Sequence, residues 1–418
     1  MHVRNHFQRP CGGKCDDGEM LSLSLDTERI AIIGPGRLGT AFAYKFDREN
    51  KKVILYYHDA DVCKTINRDH LNARHLTEDL ARRLDGVDKV PRLSPTLYAT
   101  NDLERVIEQN DFILLTVTMD RLPEILNQIE PILRRKVTHT CFISAIKGLA
   151  AVETTRRLLT PSQMIRDRLT GLKGRYDVVS IGGPFFDVDI ALGNPVCLSV
   201  AGPRRICQIV RHHFIDLSRR ELTSYYNFDS VGIETCGALK NIAANLKGVV
   251  DGLELGDSIP GTLFSRAGVE VRSICRILGG SFQAFQSQAG VGDMYVTLSS
   301  DASKNHRYGR SFYKLFNGNS VETHLNVLRG IDGKPEGPNT IFNVHQFLKK
   351  RNMYSPIFRC AYQIFNEARS RREIRDQILQ AIQFDRRTRE YISPVSRILY
   401  RLFPNLWYRR HRDFLANP

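Results

Sequence analysis

The stretch from Arg29 to Tyr44 constrains the fold more than any other part of the chain. Arg29-Ile30-Ala31-Ile32-Ile33 is a short, apolar, β-branched run and reads as a buried strand. Gly34-Pro35-Gly36-Arg37-Leu38-Gly39 follows at once, and Thr40-Ala41-Phe42-Ala43-Tyr44 opens a helical stretch. This is G-x-G-x-x-G in a strand–turn–helix setting. Gly34 permits the tight turn, Gly36 lets the backbone approach a pyrophosphate, and Gly39 lets helix and strand pack closely. The anion then meets the amide-rich helix start. A dinucleotide is therefore expected on Gly34, Gly36, Arg37, Leu38 and Gly39.

A second strand, Lys52-Val53-Ile54-Leu55-Tyr56-Tyr57, ends at His58-Asp59. Asp59 stands about 20 residues after the last glycine, where an acid binds the adenosine ribose hydroxyls. Asp59 favours NAD by repelling a 2′-phosphate, whereas His58, Lys64 and Arg68 favour NADP. Both cofactors stay open at this point.

At 418 residues the chain has ample length for two cores. No apolar run approaches the roughly 18 residues of a membrane span. The N-terminus lacks a basic-then-apolar signal peptide. Nine cysteines lie scattered with no C-x-x-C pair, which predicts reduced thiols in a cytosolic protein. The histidines form no H-E-x-x-H or comparable spacing, so no metal is expected. A net charge of +15 suits anionic ligands such as phosphate esters and dinucleotides. It would equally suit nucleic acid, but no RNA-binding signature, zinc finger or basic leucine repeat is present, and no nucleic-acid partner is expected.

Apolar runs at 111–118, 140–145, 178–181 and 196–200 read as buried parallel strands alternating with helices. The predicted fold is α/β: an N-terminal Rossmann-type doubly wound sheet over 28–205, then an all-helical substrate domain over 206–383. Beyond about residue 221 the pattern holds long helices with no convincing strand. The site then sits between the sheet's carboxyl edge and the helical domain.

The helix predicted from about Gly232 to Leu253 carries Lys240 and Asn241 among Gly237, Ala238, Ala243 and Ala244, small residues that let another surface come close. Downstream, Gly290-Val291-Gly292-Asp293 places a carboxylate beside glycines. Lys240 alone could be a solvated surface lysine, Lys147 a solvent-facing strand end, and Asp293 an N-cap.

Taken in order, the motifs from about residue 28 to 345 resemble the NAD(P)-dependent glycerol-3-phosphate dehydrogenases. The series runs through Gly34-x-Gly36-x-x-Gly39, then Asn67, His70 and Asn72, then Ile146-Lys147-Gly148 and Gly183-Pro184-Phe185. It continues with Glu234-x-x-Gly237-Ala238-Leu239-Lys240-Asn241, Arg266, Glu270, Gly290-x-Gly292-Asp293, Thr297, Asn305 and Glu336-Gly337. The resemblance implies hydride exchange between a nicotinamide and C2 of dihydroxyacetone phosphate, giving sn-glycerol 3-phosphate, with a homodimer as the assembly. It makes Lys240 the proton donor, Lys147 a second lysine near substrate and cofactor, and Asp293 their counter-charge. Asn241 and Thr297 orient the substrate. Lys304, Asn305, Arg307 and Gly183 would hold the substrate, and Glu336 the cofactor. Two ammonium groups in one cleft are expected to depress each other's pKa.

The chain departs from the family pattern at four places. Lys304 stands where an arginine is usual, Ser258 where an asparagine is usual, Asp187 where a small residue is usual, and His58 where bacterial members usually have arginine. Lysine cannot offer arginine's planar, bidentate grip on phosphate. Another phosphorylated ketone or polyol, or a non-catalytic nucleotide sensor, therefore stays open.

Both ends lie outside the resemblance. Residues 1–27 are expected to be a disordered leader and 384–418 a basic amphipathic tail. Ile392, Val395, Ile398, Leu399 and Leu402 form an apolar stripe among arginines, with Trp407 and Tyr408 beyond. A helix docked on the protein's own surface and attachment to an anionic membrane both fit. The expected location is cytoplasmic, with or without that peripheral attachment.

Overall fold

The computed structural model describes residues 25–152, 157–217, 221–331 and 335–382, together with residue 402. Apart from residues 25–27 and Leu402, the expected leader and basic tail lie outside these residues. Among the described residues ten strands occur in the order β1 (Arg29–Ile33), β2 (Lys52–Tyr56), β3 (Tyr98–Thr100), β4 (Phe112–Leu115), β5 (Thr140–Ser144), β6 (Ala150–Val152), β7 (Arg157–Leu159), β8 (Tyr176–Gly182), β9 (Val196–Ala201) and β10 (Leu222–Asn227). Eight of them form one sheet ordered β10-β9-β8-β5-β4-β1-β2-β3, and β6 and β7 make a separate hairpin.

The unbroken apolar runs have a simple cause: both faces of the sheet are covered. Ile30 and Ile32 face one core with Phe42, Leu55, Leu114 and Ile143. Ala31 and Ile33 face the other with Ile54, Ile113, Leu115 and Phe142. Strand order reverses between β1 and β4, so their carboxyl ends open a crevice of the kind that binds ligands in such sheets.

Two expectations about the sheet need correction. β9 runs antiparallel to β8, and β10 runs parallel to β9, so the last two strands oppose the other six. Strand direction depends on the connection, which an apolar run does not encode. The sheet also continues past residue 205 to Asn227. In β10 only Leu222 and Ser224 are buried while Tyr225 and Tyr226 face outward, so this edge strand carries a weak hydrophobic alternation.

The motif residues Asn67 and Asn72 have architectural work. Asn67 exchanges two hydrogen bonds with the backbone of Ala99 (2.7 and 2.9 Å) and so fastens the edge strand β3. Buried Asn72 donates to the Pro35 carbonyl and the Thr40 hydroxyl, both at 2.8 Å, and fixes the glycine loop.

The rest of the chain is built around the helix Ser230–Leu253, whose residues are buried on nearly every side. Its first turns dock on the sheet through Glu234. That carboxylate accepts from the Ser162 amide (3.1 and 3.2 Å), the Ser162 hydroxyl (2.7 Å) and the Ser180 hydroxyl (2.7 Å). Its later turns cross the helix Lys304–Leu315 at backbone contact. A Cβ on Gly309 would lie 1.9 Å from the Asn245 carbonyl oxygen, and one on Gly248 would lie 2.2 Å from that of His306.

Gly309→Ala should therefore destabilise the fold even though alanine is the better helix former. The propensity gain is about 1 kcal/mol, while forcing a methyl group into a packed contact costs roughly 1–3 kcal/mol, more when the obstacle is backbone. Chemical denaturation of the variant should show a net loss; equal or greater stability would mean that the two helices do not cross this closely.

Candidate active site

Three separate segments bring one carboxylate and two lysines together. Lys147 follows β5, Lys240 lies in mid-helix over Ser230–Leu253, and Asp293 opens the short helix Asp293–Ser299. Oδ1 of Asp293 accepts from Lys240 Nζ, and Oδ2 accepts from Lys147 Nζ at 3.4 Å. Lys240 Nζ also donates to Thr297 Oγ1 at 2.8 Å. Asp293 spends its side chain on the lysines, and the residue before its helix is Gly292, so an N-cap role is excluded.

Around this core the other predicted residues take unequal parts. Asn241 Nδ2 donates to Glu336 Oε2 at 3.1 Å, which brings the acid before the helix Gly337–Lys350 to the cluster. Lys304, at the start of its helix, is close enough to act electrostatically on Glu336. Asn305 Oδ1 accepts from the Gly337 amide at 2.9 Å, which leaves its amino group as the side chain's donor. Arg307 instead donates to the Asp301 carbonyl at 2.6 Å. Gly183 has a packing reason, since a Cβ there would meet Leu198 Cα at 2.8 Å. Gly237 is the opposite: a Cβ would meet nothing within 4 Å, so it keeps open space one turn from Lys240 and Asn241.

The two lysines do not depress each other equally. Burial and the charge of Lys147 push the Lys240 ammonium down to about 7 against the pull of Asp293. For Lys147, burial also opposes the charge, but Asp293 and Glu336 outweigh it and hold its pKa above the ordinary lysine value. Lys147 further faces the Phe185 ring, 4.9 Å from its centroid. Burial raises the Glu336 carboxyl even though Lys147, Lys240 and Lys304 face it. The expectation that both lysines titrate low is therefore corrected for Lys147, because two carboxylates surround it.

The glycine loop has the surface a dinucleotide needs. Gly34 takes φ +87° and a Cβ there would strike Val117, while a Cβ on Gly39 would strike the Gly34 carbonyl at 2.7 Å. Over Gly36, by contrast, a Cβ would meet nothing nearer than 4.0 Å. The helix Arg37–Arg48 begins there with no side-chain cap and no acid in its first turn, so its leading amides suit a pyrophosphate. The Arg37 side chain is engaged elsewhere, with Asp79 and, at 2.5 Å, with Asp187. The unusual Asp187 thus has a partner in the loop itself.

At the end of β2, Asp59 caps the next helix by accepting from the amides of Asp61 (3.0 Å) and Val62 (3.3 Å). Its other oxygen accepts from Arg74 Nη1 at 3.2 Å. Lys64 and Arg68 pair with Asp61 and Asp69 on the helix surface. The Arg74–Asp59 pair cannot be read from the sequence, because only the fold brings position 74 back to Asp59.

Comparison with known proteins shows the family. Two family profiles, described as the N-terminus and the C-terminus of NAD-dependent glycerol-3-phosphate dehydrogenase, match residues 29–206 and 229–376. The chain belongs to that family. A glycerol-3-phosphate dehydrogenase (NAD(P)+) of Nitratidesulfovibrio vulgaris is 28% identical over 352 residues, covering 84% of this chain and 98% of that protein. One from Bacillus subtilis is 28% identical over 338 residues, covering 81% and 90%. Among solved structures, the Coxiella burnetii glycerol-3-phosphate dehydrogenase superposes with a TM-score of 0.69 at 24% identity, over 85% of this chain and 97% of that one. The yeast glycerol-3-phosphate dehydrogenase gives 0.68 at 21% identity, over 84% and 99%. At these identities the two structures establish the shared fold. They match its Rossmann-type sheet and helical second half.

Charge at Asp293 and Lys147 should set where Lys240 titrates. Lys147→Met removes a repelling neighbour and should raise the Lys240 pKa, whereas Asp293→Asn should lower it further. A ¹³Cε titration of lysine-labelled protein reads both shifts; a midpoint unchanged in both variants would separate Lys240 from this cluster.

Proposed function

We propose that this member of the glycerol-3-phosphate dehydrogenase family interconverts dihydroxyacetone phosphate and sn-glycerol 3-phosphate, with Lys240 as the proton-transferring group. The observation that carries the reading is the buried Lys240 itself, held by Asp293 and Thr297 with a pKa near 7. An ammonium has three donors. Asp293 and Thr297 take two, and the third is left for a substrate oxygen.

Reduction of the ketone builds negative charge on its oxygen, and Lys240 delivers a proton there as that charge develops. In the reverse direction the neutral amine takes the proton from the alcohol. When bound at the glycine loop, the nicotinamide cofactor supplies the hydride to C2 or takes it back. Lys147 stays charged beside Asp293 and Glu336, so it supplies fixed positive potential while Lys240 changes state. Asn241 and Glu336 hold the wall of the cleft. Lys304 and the Asn305 amino group are the donors assigned to the substrate phosphate, Lys304 as a point charge rather than a fork.

Assays of NADH and NADPH oxidation with a panel of phosphorylated ketones test the substrate. Turnover with dihydroxyacetone phosphate is expected; cofactor binding without oxidation across the panel would mark a nucleotide sensor instead. Lys240→Ala should lower kcat by about 10²-fold or more, the scale of losing a general acid, while cofactor binding survives. The sign of the pH dependence follows from the Lys240 pKa. Ketone reduction needs the ammonium, so its kcat should fall as pH rises through about 7, whereas alcohol oxidation needs the free amine and should rise over the same range. Near-normal turnover by the Lys240 variant would remove the assignment.

The domain division is proposed in the terms of the fold, with the cofactor half ending at the edge strand β10 and the helical half beginning with the helix that carries Lys240. A homodimer and peripheral attachment to an anionic membrane through 384–418 are also proposed, the latter on the arginine-rich stripe of the sequence. Among the described residues no helix is long and apolar enough to cross a membrane. A chain truncated after Gln383 should keep its activity and lose sedimentation with anionic vesicles; equal sedimentation of both forms would dispose of the attachment.

A further inference from the structure

We propose that Arg74 is the residue that reads the adenosine 2′-position, and that its pairing with Asp59 lets this chain take a 2′-phosphorylated dinucleotide. The proposal rests on the glycine loop being a dinucleotide cradle. An acid at the end of β2 selects against a 2′-phosphate only if its charge is free and its oxygens can accept the ribose hydroxyls. Both conditions are weakened here. One Asp59 oxygen is committed to the Asp61 and Val62 amides, and the other to the Arg74 guanidinium at 3.2 Å.

Arg74 is also positioned from a second side. Its guanidinium lies 5.9 Å from the centroid of the Tyr57 ring, and the Tyr57 hydroxyl is fixed by a 3.2 Å hydrogen bond with His75 Nε2. Tyr57 and the exposed His58 stack at 5.0 Å, so an aromatic shelf and a cation stand together at the carboxyl end of β2. The Arg74 side chain is still 55% exposed, so solvent reaches it and a ligand phosphate can too. The guanidinium offers five donors. It can bridge the Asp59 carboxylate and a 2′-phosphate at once, which neutralises the repulsion that Asp59 alone would exert. The basic residues nearer in sequence do not share this place. Lys64 and Arg68 are held by Asp61 and Asp69 on the outer face of their helix.

Calorimetric titration of the full chain with 2′,5′-ADP and with 5′-AMP reads the 2′-position without turnover. The unmodified chain should bind 2′,5′-ADP at least tenfold more tightly than 5′-AMP. Arg74→Ala should erase most of that difference, Arg74→Lys should keep part of it, and a Lys64→Ala, Arg68→Ala double variant should leave it in place. The ratio of kcat/KM for NADPH to that for NADH should fall at least tenfold in Arg74→Ala. Equal affinity of the unmodified chain for the two probes, a preference that survives Arg74→Ala, or loss of the preference in the double variant would each overturn the proposal. If the chain bound neither probe nor NADH, the dinucleotide reading itself would fall, which is a different result from losing discrimination.

Discussion

Burial of the helix Ser230–Leu253 is the constraint on which the rest of this structure depends. A helix that is enclosed all round must present small residues wherever a neighbour comes close, and Gly248 meets the helix Lys304–Leu315 at backbone distance. Its buried ionisable groups must also find partners. Glu234 does so by gathering Ser162 and Ser180, and Lys240 by gathering Asp293 and Thr297. The first set docks the helix on the sheet. The second joins it to the lysine–carboxylate cluster. One rigid element therefore fixes Lys240 relative to the crevice at the sheet's carboxyl edge.

The same burial explains the division of labour between the lysines. Asp293 is shared, so neither lysine has a whole carboxylate to itself. Lys147 has Glu336 as a second counter-charge and stays an ammonium, while Lys240 has a hydroxyl and titrates near neutrality. Identical side chains that share one carboxylate are thus shifted in opposite directions by their other partners.

Much of this was legible in the chain where the cause is local. The glycine loop announces itself because turn, close approach and helix start all need particular residues within six positions. Lys240, Asn241 and Asp293 stood out because small residues surround them. What escaped depends on contacts between distant segments. The antiparallel course of β9 is a matter of connection, and β10 hides because its outward face is aromatic and its inward face short. Asn72 reads as a polar residue until the fold sets it against Pro35. Arg74 lies fifteen positions from Asp59 and meets it only after the intervening helix has turned the chain back. The raised pKa of Lys147 needed Glu336, almost two hundred residues away.

The Glu234 clamp has a consequence for how the protein can be divided. The glycine loop and Lys147 lie on one stretch of chain, and Lys240, Asp293 and Glu336 on the next, so neither stretch alone holds the whole cluster. The seam between them is partly apolar, with Leu149 and Leu158 packed into the helical core, and it also carries a buried carboxylate that three donor groups must find together. Two fragments separated near the start of the helix would therefore have to bury Glu234 against Ser162 and Ser180 again to reassemble in register.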